Sequence, residues 1–406
     1  MKTNSYSRVY PLLFGTLLFC GPNFVGIMGL DPKYYFAAIM ALCIPLIVVN
    51  KNTLKEDKRL LFLLLFCTTY GVYRICSDKS EGARFISLVI MSTPFYFASF
   101  PREKMISDNH HGYPQMWSGF LKLFLIFFVI ETLLAATERV IGTNIFGLRG
   151  FDSDLAQTEF TDGFRSCSLH GHPLQNALIV STSMSFILIS KLNVKMKMFL
   201  WSLGFFSILC FNTRSSIVGN ALLFFVYALY LLRKGGSLKK QEKRFFYFMF
   251  VVILISGLIL FFYMGFGSRL MEMGLFDDDS AQVRLDVGNI FDFYPLESFL
   301  WGLDGDSYDL VLKVSGIDIL ENFYLVFMLR CGFVFLLFYL FLYIRLIVSL
   351  YKGYDNFTKW YTGGAFILLA STNNSLSTTG ISLFLFLMLI VIFNPHYYEN
   401  KVSLSE

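Results

Sequence analysis

SRLMEMGLFDDDSAQVRLDVGNIFDFYPLESFLWGLDGDSYDLVLKVSGIDIL, Ser268 to Leu320, runs directly into ENFYLVFMLRCGFVFLLFYLFLYIRL, Glu321 to Leu346, and the reading of the whole chain turns on this junction. The first part is hydrophilic and strongly acidic: eleven Asp and Glu stand against Arg269, Arg284 and Lys313. The second is apolar and long enough to cross about 30 Å of hydrocarbon, which takes roughly 20 residues. A chain that leaves the bilayer for so long a polar excursion holds polar side chains over its surface. A transporter or a scaffold has little need of that. An enzyme acting on substrates whose apolar parts stay in lipid does.

Outward from this junction the rest of the chain is greasy. Of 406 residues, 55% are hydrophobic and only 16% charged, with 47 Phe and a mean hydropathy of +0.57. A soluble domain cannot hide that much apolar surface, so the composition predicts an all-α polytopic membrane protein. Hydropathy places spans near 10–30, 33–50, 59–76, 83–100, 116–137, 173–190, 196–212, 215–233, 245–266, 321–346, 358–374 and 378–395, about twelve in all. The first has no small-residue cleavage site after it and reads as an uncleaved anchor. The chain divides into N-terminal membrane helices (1–137), a first outward loop (138–172), central helices (173–266), a large outward loop (267–320) and C-terminal helices (321–406), all one integral membrane domain.

Lys and Arg set the expected orientation, because cytoplasmic segments carry the excess of positive charge. With an even helix count and both termini inside, 21 of the 34 basic residues fall on the cytoplasmic side. The loop RKGGSLKKQEKR, Arg233 to Arg244, has six cations against one Glu and fixes the assignment. Both long loops then face outward. The net charge of +5 is topological, with no basic groove and interleaved aromatics to suggest nucleic acid. Most of the seven cysteines fall in or beside spans, where a thiol is a small hydrophobe, and no CxxC pair suggests a metal site.

The outward segments hold the chemistry. Asp162 to Val180 reads DGFRSCSLHGHPLQNALIV, in which Pro173 suits the first turn of a helix. His170 and His172 then stand at a helix N-terminus, where unpaired N–H groups favour an anion. As a zinc pair they lack partner carboxylates at ligand spacing. CFNTRSSIVGN, Cys210 to Asn220, is a short turn with Arg214 as its cation, a functional residue or a snorkelling anchor. In AQVRLDVGNIFDFYP, Arg284, Gly288 and Phe291 recur at helical spacing, as in an amphipathic helix on the membrane that Pro295 ends; WGLDGDSY reads as a Gly-rich turn. Glu321 starts a helix of some 30 residues whose beginning projects outward. Arg330 lies inside that span and Glu131 inside another. The simplest reading pairs the two; the sharper one makes Glu131 a catalytic base.

Four of these features resemble the O-antigen polymerase and O-antigen ligase family of bacterial envelope polysaccharide enzymes. They are Arg165 with GHPLQNA, the TRSS turn from Thr213 to Ser216, Arg284 upstream of YPLESFLWGLDG, and ENFYLVFMLRCG from Glu321. The resemblance covers about 165 to 345. It implies a metal-independent, cofactor-free, multi-pass glycosyltransferase of the cytoplasmic (inner) membrane, with its active site facing the periplasm or exterior. Such an enzyme joins undecaprenyl-diphosphate-linked oligosaccharides into lipopolysaccharide O-antigen or capsule, with a chain-length regulator and a flippase as expected partners. Ligases of the family typically carry His where this chain has Glu321, before Asn322, which favours polymerase over ligase.

The chemistry agrees. Transfer develops negative charge on a departing lipid diphosphate, and fixed cations stabilise it. Arg165, Arg214 and Arg284 come from three outward segments and suit phosphate through planar, permanently charged forks. Glu321 or His172 is positioned to take the acceptor hydroxyl's proton. Rival readings are an O-antigen ligase, a lipid-linked-oligosaccharide flippase, which predicts internal repeats and broken mid-membrane helices, and a non-catalytic assembly protein.

Overall fold

The computed structural model describes residues 3–21, 31–100, 113–146, 164–233, 290–294, 296–317, 322–372, 374–378 and 381–394, together with 24, 28–29, 241, 244–249, 251–252, 255, 259, 288 and 320. Every element of four residues or more among them is an α-helix. In chain order these are α1 (Thr3–Phe19), α2 (Pro32–Val49), α3 (Lys51–Glu56), α4 (Lys58–Ser77), α5 (Glu81–Ser99), α6 (Tyr113–Ile141), α7 (Pro173–Ile189), α8 (Val194–Phe211) and α9 (Arg214–Arg233). The second half holds α10 (Ile290–Phe293), α11 (Leu296–Trp301), α12 (Gly305–Val314), α13 (Phe323–Cys331), α14 (Phe333–Leu350), α15 (Asn356–Ala370), α16 (Ser375–Thr378) and α17 (Ile381–Ile392).

Among the described residues, five helices are long and apolar enough to cross a membrane: Lys58–Ser77, Gly119–Ile141, Val194–Phe211, Arg214–Leu231 and Phe333–Leu350. Their outward faces carry rows of exposed apolar side chains at helical spacing, such as Ile126, Ile130 and Leu133 on α6, or Leu337, Phe341, Ile344 and Val348 on α14. Water does not tolerate apolar rows of this extent, and lipid does. Among the described residues the fold is all-helical, and its long apolar helices are those of a membrane protein. Helices occupy most positions marked by hydropathy, while the segment 245–266 lies largely outside the described residues.

At the centre stands α7, buried on nearly every side and packed against α6, α8, α9, α15, α16 and α17. It begins at Pro173, the residue whose missing N–H suits a first helical turn. Rings sort the helix directions. Phe14 meets Phe120 at 5.2 Å and Phe19 meets Phe127 at 5.6 Å, so α1 and α6 run parallel and finish at one end. Asn50, closing α2, donates to the Tyr10 hydroxyl at 2.8 Å and to the Ser99 carbonyl at 2.7 Å. The C-terminus of α5 therefore lies at the opposite end, and the α4–α5 turn lies beside the finishing ends of α1 and α6. Tyr70 on α4 packs on Phe335 at 4.0 Å and Phe66 on Phe338 at 6.2 Å, which makes α14 antiparallel to α4. Thus α14 also starts at the finishing end.

The helix expected to run unbroken from Glu321 is two helices. Gly332 adopts φ 89° and ψ 157°, which stops α13 and starts α14 in a new direction. A side chain at Gly332 would collide with the Leu300 carbonyl, and one at Gly302 (φ 87°) would collide with the Arg330 carbonyl. Two backbones thus cross in direct contact, and only glycine allows it. The turn Trp301–Gly302 is as expected from WGLDGDSY, but Gly305 opens a helix instead of extending the turn. Asp304 caps it, its Oδ1 accepting from the Ser307 N–H at 2.8 Å. Of the expected surface helix, Ile290–Phe293 is helical and Arg284 lies outside the described residues.

Candidate active site

The loop before α7 is bound along one face of α6. Glu131, Ala135, Glu138 and Arg139 recur at i, i+4, i+7 and i+8, so they form a single stripe. Ser168 Oγ donates to the Glu131 carbonyl and Ser166 Oγ to the Ala135 carbonyl, each at 2.8 Å. Arg139 Nη1 donates to the Phe164 carbonyl at 2.5 Å. The loop therefore runs antiparallel to α6, two residues per helical turn. Ala135 is fully buried, and its small side chain lets the loop approach.

The buried Glu138 carboxylate is the clamp. Its Oε2 accepts from the Cys167 and Ser168 N–H groups at 2.7 and 2.8 Å, and its Oε1 from Ile145 N–H at 2.8 Å. Three backbone donors on one carboxylate supply the charge-assisted bonds that a buried anion needs. They also hold Ser168 at φ 46°, a conformation uncommon outside glycine. Asn176, one turn into α7, donates from Nδ2 to the Cys167 carbonyl and joins the loop to the central helix.

Glu131 belongs to the same clamp. Its Oε2 accepts from Leu169 N–H at 3.2 Å. It is not the partner of Arg330, which lies against Tyr308 and Asp309 near the start of α5. The expected pairing placed Arg330 in mid-span; the break at Gly332 puts it at the end of the bundle instead.

His170 is a core residue. Its ring meets Phe127 edge-on at 5.9 Å and fills the space over Gly21, where a side chain would collide with it. Burial pushes its pKa down to about 4 against the opposing pull of the Leu18 backbone. His172 occupies the N-cap position of α7 without making a side-chain cap bond. Burial, then the neighbouring Arg165 charge, pushes its pKa down to about 4. Its imidazole is neutral at pH 7 and accepts hydrogen bonds.

Arg165 Nε donates to the Phe211 carbonyl at 3.3 Å, and Ser166 N–H to the Cys210 carbonyl at 3.1 Å. These bonds join the loop to the last residues of α8. Asn212 then turns the chain at φ 50° and Arg214 opens α9. Arg165, His172 and Arg214 are thus gathered at one corner, at the end of the bundle where α1 and α6 finish. Arg284 and Glu321 lie outside the described residues, although Leu320 beside Glu321 is held by Asn374 Nδ2 at 3.2 Å. Asn322 is a helix cap, its Oδ1 accepting from Tyr324 and Leu325 N–H at 2.9 and 3.3 Å.

No protein-family model matches this chain, and no curated protein matches it at a significant level. Function is therefore argued from the corner itself. Sequence reading passed over Glu138 and Arg139, the residues that build it. Their signal was present in the i, i+7, i+8 spacing from Glu131, a stripe of charge that an apolar helix carries only when something polar lies along it.

Proposed function

We propose that this protein is a membrane-embedded polysaccharide polymerase. It transfers a growing glycan from undecaprenyl diphosphate to the next lipid-linked repeat unit, at the outer face of the cytoplasmic membrane. The observation that carries the reading is the docking of the 164–172 loop, which sets Arg165 beside His172 and bonds it to Phe211, just ahead of the turn that carries Arg214. Two guanidinium groups, one from the loop and one from the start of α9, suit a lipid diphosphate, the group on which charge accumulates as the sugar–phosphate bond breaks. Arg284 is the third cation of this reading.

In the transfer, the acceptor hydroxyl attacks the anomeric carbon, its proton goes to a base, and the diphosphate leaves with the bonding pair. Glu321 is the first choice of base and His172 the second. A pKa of about 4, set first by burial and then by the Arg165 charge, makes His172 a weak base. A diphosphate bound to Arg165 offsets that charge and raises the basicity of His172 when substrate is present. In this reading Glu138 and Glu131 serve as the clamp, holding the backbone of the loop.

A flippase is the weaker reading. The one broken helix among the described residues, α13–α14, breaks at the end of the bundle, whereas transporters carry such breaks at the midplane. A ligase differs only in acceptor, and the test separates them. Cells lacking the gene are complemented with wild type or with Arg214→Ala, and their surface polysaccharide is separated by length. The polymerase reading expects single-repeat material, restored to a ladder by wild type and not by the variant. Full-length polymer accumulating on undecaprenyl diphosphate marks a ligase, and material trapped on the cytoplasmic side marks a flippase.

A further inference from the structure

A second cationic corner sits at the same end of the bundle, built from α4, α5, α12 and α13. Arg74 there is committed: Nη2 donates to the Leu303 carbonyl at 2.8 Å and reaches Asp78 at 3.4 Å. Arg330 is not. Its guanidinium lies over the Tyr308 ring at 3.9 Å, and Asp309, 77% exposed, approaches only to 3.9 Å. Gly82 makes the slot, since any side chain there would collide with Arg330 Nη1. The Arg330 side chain remains one-fifth exposed (20%), with donors left over.

Beside it the surface is apolar and continuous with the lipid-facing side of α14. Phe299 stacks on Phe333, the first residue of α14, at 5.2 Å. Trp301, two residues on, is 69% exposed, and its backbone lies against Gly332. An exposed Trp at the end of a membrane helix belongs at head-group depth. A stacked cation with spare donors at that depth, next to an apolar face that continues into lipid, matches a phosphate group on a hydrocarbon chain.

We infer that Arg330, seated between Tyr308 and Gly82, binds the phosphate of a membrane lipid whose chain lies along the Trp301 side of α14. The inference stands on this corner alone and does not rest on the polymerase reading. Two sources share the chemistry, a bilayer phospholipid and an isoprenyl phosphate.

The full-length protein is incubated with phosphatidylcholine vesicles containing a minor share of either phosphatidylglycerol or undecaprenyl phosphate, and lipid retained after purification is weighed by mass spectrometry. Arg330→Gln is expected to cut retention about tenfold, the scale of a charge-assisted hydrogen bond. Asp309→Asn, which removes the competing carboxylate, raises it. Loss for both lipids identifies a bilayer phospholipid as the resident; loss for undecaprenyl phosphate alone identifies the isoprenyl lipid. Equal retention of both lipids by wild type and Arg330→Gln overturns the site. Should Arg330→Gln not fold, unchanged retention in Asp309→Asn overturns it.

Discussion

Two corners at one end of this bundle pin backbone with different mixtures of acids, hydroxyls and cations. In the corner between α6 and α7, carboxylates hold backbone N–H groups: Glu138 takes three and Glu131 one. In the corner between α4 and α13, cations and hydroxyls hold backbone carbonyls. Arg74 takes Leu303, and the Tyr70 hydroxyl donates to Cys331 at 2.9 Å. Acids order a loop whose N–H groups have no helix to join; Arg74 orders the turn between α11 and α12, and the Tyr70 hydroxyl the end of α13. The second corner keeps a guanidinium with donors to spare: Arg330, one-fifth exposed over the Tyr308 ring. Function is to be sought in what the scaffold leaves over.

The comparison is broken most forcefully at Glu138. Glu138→Ala removes a buried acceptor of three N–H groups and should cost about 4 kcal/mol. Thermal melting in detergent reads the loss, and hydrogen exchange at Cys167 and Ser168 locates it. If those amides stay protected, the clamp is not what holds the loop.

The second corner breaks at Gly332. Gly332→Ala puts a Cβ into the Leu300 carbonyl at φ 89° and should cost about 3 kcal/mol. The damage belongs near Trp301 and Tyr70, with the 164–172 loop unaffected. A variant melting like wild type would mean that the backbones do not cross there.

Acid sharpens the contrast. His170 binds a proton at about pH 4 when folded and near 6.5 when unfolded, so between these values the unfolded chain holds more protons. This residue leaves stability unchanged above pH 6.5 and lowers it as pH falls toward 4, by about 2 kcal/mol at pH 5. Asp78 leans the other way in cause but not in direction. Burial works to raise its pKa, yet hydrogen bonds from Ser80 and Gly305 and the charge of Arg74 bring it below the usual carboxylate range. Its contribution is present at neutral pH and is lost only as pH falls through that range. Melting measured against pH should therefore soften first at the His170 corner, and His170→Phe should reduce that first step by about half, His172 supplying the rest.

Much of this was legible in the sequence. The apolar helices and the start of α7 at Pro173 follow from hydropathy and proline chemistry. The break at Gly332 did not, because FMLRCGFVFL is apolar apart from Arg330, and a glycine in such a run gives no sign that a neighbouring backbone will press on it. That single miss carried Arg330 into the membrane and produced its false pairing with Glu131. The helix α12 was missed for another reason: Asp304 and Gly305 read as turn residues, although an Asp three residues before Ser307 is also a helix cap.

The central claim is that the docked loop delivers Arg165 and His172 to Arg214 for glycan polymerisation on a lipid diphosphate. Its most direct test is elongation by the purified protein, reconstituted in vesicles with undecaprenyl-diphosphate-linked repeat units and chelator. Wild type should build a ladder. The Arg165→Ala/Arg214→Ala double variant, melting as wild type does, should leave single repeats. A ladder from the double variant, or none from wild type, would contradict the account.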